Sequence, residues 1–592
     1  MYSNKESINI LTALLVAHGV RHAVVCPGSR NAPIVHNLNT CPDITVYPVT
    51  DERSAGFFAL GMSQALAAPV VVCVTSGTAL LNVAPAVAEA WYQHRSIIVI
   101  SADRPPQWIG QLDGQTMPQP DALGRFVSKA VTLPECNGDD DQRWYCNRLV
   151  NEVLLTACGS QPTPVHINVP ISEPLFDYSV SQLPHERIIR RLEVTDSCDP
   201  LPSDLVEAFS RARRPMIVFG QMSPHDFAAS DCDSLFRHVI VLHEALAPLP
   251  GVCHFDEVLS KIQKAETAAP SEPQFLPPDF VLHVGDAIVS KRLKHYLRHA
   301  NDVYVWRLTP TNDIEDTFQH LEGIVVCRPA NVLHALSHWA EHGLSADAES
   351  YRQQWQQQLD HAAAHAAAYQ PRYSQMAAVR EFERQLPAGS HVHYANSSAI
   401  RLANIYADHP VWCNRGVNGI EGSLSTAAGF SVASPSTLHL SPSTLHLPPS
   451  TLHLPPSTLH LPPSTLHLPP STYIVIGDLS FFYDQNALWN SNLGGNLRIL
   501  LLNNGKGGIF NMLPGLDHDA EQHRLVAAAH STTAEGICRQ HDVDYRHAND
   551  MPSMQSGIRW LVTAQSDHPL LLEVLTNADD DAKTLKEYYK LL

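Results

Sequence analysis

Short runs of continuously apolar residues, separated by longer stretches of helical periodicity, recur along the chain and constrain its fold more than any other feature. A strand that is apolar on both faces must be covered on both faces, as in a parallel sheet held between two layers of helix. Ala23–Cys26, Ile44–Tyr47, Val70–Val74, Ile97–Ile100 and Val165–Val169 form a first set, with helices expected over Glu52–Leu66 and from Thr78 to Tyr92. Met216–Phe219, Val239–Leu242, Phe280–Val284, Val303–Trp306 and Ile324–Cys327 form a second. His391–Tyr394, Val411–Cys413, Tyr473–Ile476, Leu497–Leu502 and Leu570–Val574 form a third. A polar, proline-containing linker is expected over 179–203, and a helical connection rich in Ala, Gln and His over 350–385. The expectation is an α/β chain of three doubly wound parallel-sheet domains, at 1–180, 200–345 and 385–592.

One segment departs from this pattern. Between Pro435 and Thr472 a seven-residue unit, Pro-Ser-Thr-Leu-His-Leu followed by Ser or Pro, recurs in tandem. A period of seven suggests a coiled coil, but most copies carry two prolines, and each removes a donor and clashes with the preceding helical turn. An extended, polyproline-like or disordered loop is the better expectation, a tandem expansion that interrupts the third domain at 435–472. Metal binding by His439, His446, His453, His460 and His467 is the weaker alternative, since nothing in the sequence fixes their geometry.

Asp and Glu number 59 against 40 Lys and Arg, a net charge of −19, and no basic run stands out. Nucleic acid is therefore not an expected partner. Any anionic ligand must be held by a few placed cations working against the overall field. The twelve cysteines contain no C-x-x-C pair, and Cys26, Cys73, Cys253 and Cys327 lie in apolar runs, where a reduced thiol acts as a small hydrophobe. The first residues lack a secretory pattern, and no stretch reaches the roughly 20 apolar residues of a membrane span. The expectation is a cytoplasmic protein with no disulfide framework, no structural zinc and no membrane insertion.

The strongest local signal lies near the C-terminus. Gly477-Asp478-Leu479-Ser480 ends one apolar strand, and Asn503-Asn504 ends the next. Adjacent parallel strands would bring a carboxylate and an amide oxygen to one carboxyl edge, where α/β sheets bind ligands. Hard oxygens there suit Mg²⁺ together with phosphate, and Gly505, Gly507 and Gly508 would let the backbone approach a diphosphate. Read singly, these are only tight turns at strand ends. Glu52, read singly, is an acidic residue favoured in the first turn of a helix.

The Gly-Asp and Asn-Asn spacing resembles the signature of thiamine-diphosphate-dependent enzymes. Within them the chain resembles most the 2-succinyl-5-enolpyruvyl-6-hydroxy-3-cyclohexene-1-carboxylate synthase family of menaquinone biosynthesis. The likeness is carried by Cys26–Arg30, Asp51–Phe57, Thr75–Ala79, Ser101–Pro106, Ser290–Leu293, Asn414–Gly416, Gly419–Gly422 and Leu424–Gly429. It implies a pyrimidine-binding, a central and a diphosphate-binding domain. It also implies thiamine diphosphate with Mg²⁺ (or Mn²⁺), and self-association into dimers or dimers of dimers with each site shared between chains. The implied substrates are 2-oxoglutarate and isochorismate.

By the same resemblance Glu52 is the catalytic carboxylate at the pyrimidine ring, and Ile420 is the bulky residue beneath the bent cofactor. Asp478, Asn504 and the backbone carbonyl of Lys506 are the metal ligands, although glycine is common in the family at that last position. Asn396, Ser397, Leu479, Ser480, Gly508, Ile509 and Phe510 match cofactor-lining positions. Ser29, Arg30, Arg104, Gln115, Lys291, Arg292, Ser397, Arg401, Arg415 and Leu513 match substrate positions. Ser397 and Arg401, four apart, would share one face of a helix. Two alternatives stay open: another thiamine-diphosphate enzyme of the acetolactate synthase or decarboxylase type, and a non-catalytic homologue.

Overall fold

The computed structural model of the chain describes residues 1–159, 161–191, 201–225, 227, 232–268, 275–434, 470–508, 510, 521 and 525–590. Residues 435–469 of the heptapeptide repeat, Ile509 and Leu513 lie outside the described residues.

The first sheet contains β1 (His22–Val25), β2 (Thr45–Pro48), β3 (Val70–Val74), β4 (Ile97–Asp103), β5 (Lys129–Thr132) and β6 (Val165–Pro170), in the order β2-β1-β3-β4-β6-β5. The second contains β7 (Pro215–Phe219), β8 (Ile240–His243), β9 (Phe280–Val284), β10 (Tyr304–Thr309) and β11 (Leu321–Val326), in the order β11-β10-β9-β7-β8. The third contains β12 (His391–Tyr394), β13 (Thr472–Gly477), β14 (Leu497–Asn503), β15 (Asp544–Ala548) and β16 (Leu570–Leu575), in the order β12-β13-β14-β16-β15. The ladders within these sheets run parallel, and central strands such as β3 and β9 are buried along their whole length.

Some expectations need correction. Trp412 makes a single bridge to His393, so Val411–Cys413 is not a strand. The expected helix over 78–92 is two helices, Thr78–Asn82 and Ala84–Tyr92, because Pro85 cannot donate within a continuing helix. The connection over 350–385 divides likewise into Ala346–Ala368 and Gln375–Gln385, on either side of Pro371. Strands β5 and β15 carry no apolar run. Each lies at a sheet edge with most of its residues at least partly exposed, so polar side chains are tolerated.

The first and third sheets share one hydrophobic core, which includes Phe57, Phe58, Leu424, Ala427, Ile474 and Leu501. Helix Glu52–Leu66 crosses helix Ser423–Ala433 in backbone contact. A Cβ on Gly61 would stand 1.8 Å from the Thr426 carbonyl oxygen, and one on Gly429 would stand 1.9 Å from that of Phe58. Only glycine allows so close a crossing. The central sheet packs its own two cores.

Candidate active site

The register of β13 on β14, with Gly477 opposite Leu502, sets their carboxyl ends side by side. Asp478 is buried there. Its Oδ1 accepts from Leu479 N at 2.7 Å, and its Oδ2 accepts from Gly505 N at 2.8 Å and Asn504 N at 3.2 Å. Burial pushes this carboxyl above the ordinary aspartate value, and the backbone donors pull against that shift. His530 accepts at Nδ1 from Thr532 N at 3.1 Å, so its proton sits on Nε2, which faces Asp478 Oδ2 at 3.4 Å.

Asn503 donates to Glu573 Oε1 at 2.7 Å and to the Thr532 carbonyl at 2.9 Å, which turns it inward. Asn504 is turned the other way, beside Gly508. The Lys506 ammonium pairs with Asp579 at 3.2 Å, so the side chain leans on the C-terminal helix. Ser480 is buried at this edge, and Phe510 N donates to the Gly507 carbonyl at 3.1 Å.

Glu52 opens the helix Glu52–Leu66, capped by Asp51, whose Oδ1 accepts from Ser54 N at 3.0 Å. Glu52 Oε2 accepts from Asn82 Nδ2 at 3.2 Å. Its neighbours lock onto the segment that follows Asp478. Arg53 donates to the Tyr483 carbonyl at 2.8 Å and stacks on the Tyr483 ring at 4.6 Å, while Asn486 donates to Asp51 at 2.7 Å. Among the described residues no hydrogen bond links Glu52 itself to Asp478 or Asn504.

Ile420 is 41% exposed, in a loop that Asn396 tethers by donating to the Gly419 carbonyl at 2.7 Å and the Asn414 carbonyl at 2.6 Å. Ser397 is not on the helix with Arg401. It precedes helix Ser398–Tyr406 at φ +71°, a conformation costly for a residue with a Cβ and common at functional sites.

The candidate cations fall into two clusters. At the carboxyl edge of the first sheet, Arg30 is buried and committed to the Ile171 carbonyl at 2.9 Å and Glu173 at 3.0 Å. Arg104 follows β4, its backbone N donating to Asp103 Oδ1 at 2.8 Å, and Ser29 is exposed at the tip of its loop. Gln115, at φ +57°, packs its backbone within 3.3 Å of where a Gly77 Cβ would stand.

Lys291, Arg292 and Arg401 line a cavity of about 790 Å³ between helices Phe255–Ala268 and Lys291–Arg298 on one side and the C-terminal helix on the other. Arg292 pairs with Asp256 and stacks 4.5 Å over Tyr589. Arg401 also lines a second cavity of about 40 Å³ with Ser398, Asn504, Gly508 and Asp581. Arg415 donates to Asn396 Oδ1 at 3.0 Å, and burial lowers its pKa. Arg104, Lys291, Arg401 and Arg415 have no carboxylate ion-pair partner among the described residues.

Residues 7–124 match the family described as thiamine pyrophosphate enzyme, N-terminal TPP binding domain. The whole chain aligns at 40% identity with the whole of a 2-succinyl-5-enolpyruvyl-6-hydroxy-3-cyclohexene-1-carboxylate synthase of Bacteroides fragilis. The synthase of Bacteroides thetaiotaomicron is 39% identical over 100% of both chains, and that of Porphyromonas gingivalis 32% over 99% of this chain and 97% of its own. The chain belongs to the 2-succinyl-5-enolpyruvyl-6-hydroxy-3-cyclohexene-1-carboxylate synthase family.

Sequence reading overlooked the acidic and amide residues that hold the loops of this synthase fold. Glu89 accepts from Gly416 N and Val417 N, both at 2.7 Å, and so fixes the loop of Arg415. Glu244 accepts from Val289 N at 2.6 Å and Ser290 N at 2.7 Å, just before Lys291 and Arg292. Gln119 donates to Asn168 at 2.9 Å and accepts from Gly77 N at 2.7 Å, pinning the segment after Gln115. The one signal available was a lone polar residue in an apolar run, as Glu89 is between Val83 and Trp91. Among the described residues no helix is long and apolar enough to cross a membrane.

Proposed function

We propose that this chain decarboxylates 2-oxoglutarate and adds the remaining succinyl carbanion equivalent to isochorismate by conjugate addition. The product is 2-succinyl-5-enolpyruvyl-6-hydroxy-3-cyclohexene-1-carboxylate, and carbon dioxide leaves. One observation carries the reading: Arg401 lines both the cavity beside Asn504 and the cavity of Lys291 and Arg292, so a cofactor-anchoring edge adjoins a cationic wall.

The donor set fits the cofactor. The Asp478 carboxylate, the Asn504 amide oxygen and the Lys506 carbonyl are hard oxygens suited to Mg²⁺, with Mn²⁺ able to replace it, beside a diphosphate. When bound, thiamine diphosphate supplies the carbon nucleophile that lets a 2-oxo acid lose carbon dioxide. Glu52 hydrogen-bonds to N1′ of the pyrimidine and holds the proton there. Ile420 packs beneath the ring, while Asn396, Ser397, Leu479, Ser480, Gly508, Ile509 and Phe510 line the cofactor.

Ser29, Arg30, Arg104, Gln115, Lys291, Arg292, Arg401, Arg415 and Leu513 hold the substrates, which carry four carboxylates between them. Each charge-assisted hydrogen bond is worth about 1.5–3 kcal/mol, so losing one lowers substrate use at least tenfold. The cations without carboxylate partners can give that energy to a ligand rather than to the fold.

Two chains share each site, in dimers or dimers of dimers. This fits the absence, among the described residues, of a hydrogen bond between Glu52 and Asp478 within one chain, and the exposure of Val417, Ile420, Tyr483 and Trp489. Residues 1–180 bind the pyrimidine and 385–592 the diphosphate, with 200–345 between them. The described cysteines are unbridged, which fits a cytoplasmic enzyme. An assay with thiamine diphosphate, Mg²⁺, 2-oxoglutarate and isochorismate, leaving out one at a time, tests the reading. Turnover should require all four, and consumption of pyruvate alone would overturn it.

A further inference from the structure

The side chain of Asn504 is useful to a cation only through its oxygen, yet an asparagine amide can present either end. The end it presents is set by a residue on the C-terminal helix, Ala578–Lys590. Asn504 Nδ2 donates to Asp581 Oδ2 at 3.1 Å. That carboxylate is anchored from two other sides: Oδ1 accepts from Gln375 N at 2.8 Å, and Oδ2 accepts from Thr576 Oγ1 at 2.7 Å.

A carboxylate accepts and does not donate, so the amide nitrogen must face Asp581. Asn504 Oδ1 is left on the other side, where among the described residues its one hydrogen bond is from Lys506 N at a long 3.4 Å. Gly508 backs the nitrogen end, since a Cβ there would stand 2.8 Å from Nδ2. The same helix supplies Asp579 to Lys506, so it touches two of the three proposed ligand residues.

We propose that Asp581 is a positioning residue for the divalent cation: it locks the Asn504 amide so that Oδ1 faces the ion held by Asp478. This rests on Asp478 and Asn504 being metal ligands. Partners behind a ligand fix its orientation and often matter to affinity nearly as much as the ligand does. A purely structural role is the competing explanation, because Asp579, Asp580 and Asp581 all sit in the first turn of their helix, where negative charge is favoured. That role would affect melting and leave metal affinity alone.

The test is Mn²⁺ binding to the full-length protein in the presence of thiamine diphosphate, followed by electron paramagnetic resonance or calorimetry. In Asp581→Asn the new amide must still offer its oxygen to Gln375 N. Its nitrogen then faces Asn504, whose amide inverts and turns its own nitrogen toward the ion. Mn²⁺ affinity should fall about 10- to 100-fold, with the metal-free melting temperature near that of the parent. In an Asn504→Ala background, Asp581→Asn should cost nothing further. Thr576→Val, which removes one anchor, should cause a smaller loss in the same direction and serves if Asp581→Asn fails to fold.

Asp478→Asn separates the two ideas. If it abolishes Mn²⁺ binding while Asp581→Asn and Thr576→Val bind like the parent, the positioning role falls alone. A loss from Asp581→Asn that persists in the Asn504→Ala background also overturns it. If Asp478→Asn itself binds Mn²⁺ like the parent, the metal site is misplaced and the proposal falls with it.

Discussion

Glu52 occupies a position where the helix dipole would welcome any acid, and its one side-chain hydrogen bond among the described residues, from Asn82, would suit a glutamine equally well. A structural role and a catalytic one therefore separate cleanly in Glu52→Gln, which keeps shape and hydrogen bond but cannot take up a proton. Steady-state kinetics should show kcat lowered about 10²- to 10⁴-fold, the usual reach of acid–base catalysis, with thiamine diphosphate affinity in a binding titration little changed. Full activity in the variant would remove Glu52 from the catalytic role.

Glu244 makes a different prediction. Burial pushes its carboxyl up to about 7, against the lowering pull of Val289 N and Ser290 N. Because the folded value lies above the unfolded one, the folded state binds the extra proton, and stability falls as pH rises from about 4.5 to about 7. Melting curves of the parent and Glu244→Gln should converge or cross in that window, with the parent's relative advantage greatest at the acid end. Neither role of Glu244 could be read from its type, since a buried acid is recognised by what surrounds it in space. Glu52 was found only because Asp51-Glu52-Arg53-Ser54-Ala55-Gly56 forms a motif.

At the scale of elements, the strands were legible because parallel strands covered on both faces must be apolar throughout, as Val70–Val74 and Phe280–Val284 are. Strands β5 and β15 were not, because an edge strand with one partner tolerates Lys129 or Arg546. The helix pair was half legible. Gly61 and Gly429 stand in the sequence as ordinary interruptions of two helical patterns, and only the fold shows that they face each other's backbones. This crossing carries Glu52 on one helix, while the other begins just after the Ile420 loop.

Gly429→Ala forces the two backbones apart, and overpacking of this kind costs about 1–3 kcal/mol. Scanning calorimetry should show a lowered transition, and turnover should fall with it as the Glu52 helix shifts. Gly536→Ala, where an added Cβ meets nothing within 4 Å, is the control and should be neutral or slightly stabilising. Equal behaviour of the two variants would mean the crossing is not needed.

Across the whole molecule, the repeat of related sheets predicts where chemistry gathers: at the carboxyl ends of β1, β3 and β4 in the first sheet, and of β13 and β14 in the third. The pieces of the candidate site are legible one by one, but their assembly is not, because it depends on which surfaces meet. Within one chain Arg53 and Asp51 bind residues 483 and 486, beyond Asp478 in sequence, and among the described residues Glu52 has no hydrogen bond to Asp478 or Asn504. If two chains complete each site, a chain damaged only at Glu52 and a chain damaged only at Asp478 carry complementary defects. Purified Glu52→Gln and Asp478→Asn proteins, each inactive, should regain turnover after mixed refolding or co-expression. A random two-fold pairing leaves one intact site in half of the dimers, so about a quarter of parental activity should return. Native mass spectrometry of differently tagged chains would establish that mixed dimers formed. Mixed dimers without activity would place Glu52 and Asp478 of the same chain around one cofactor, and the two-chain site would have to be abandoned.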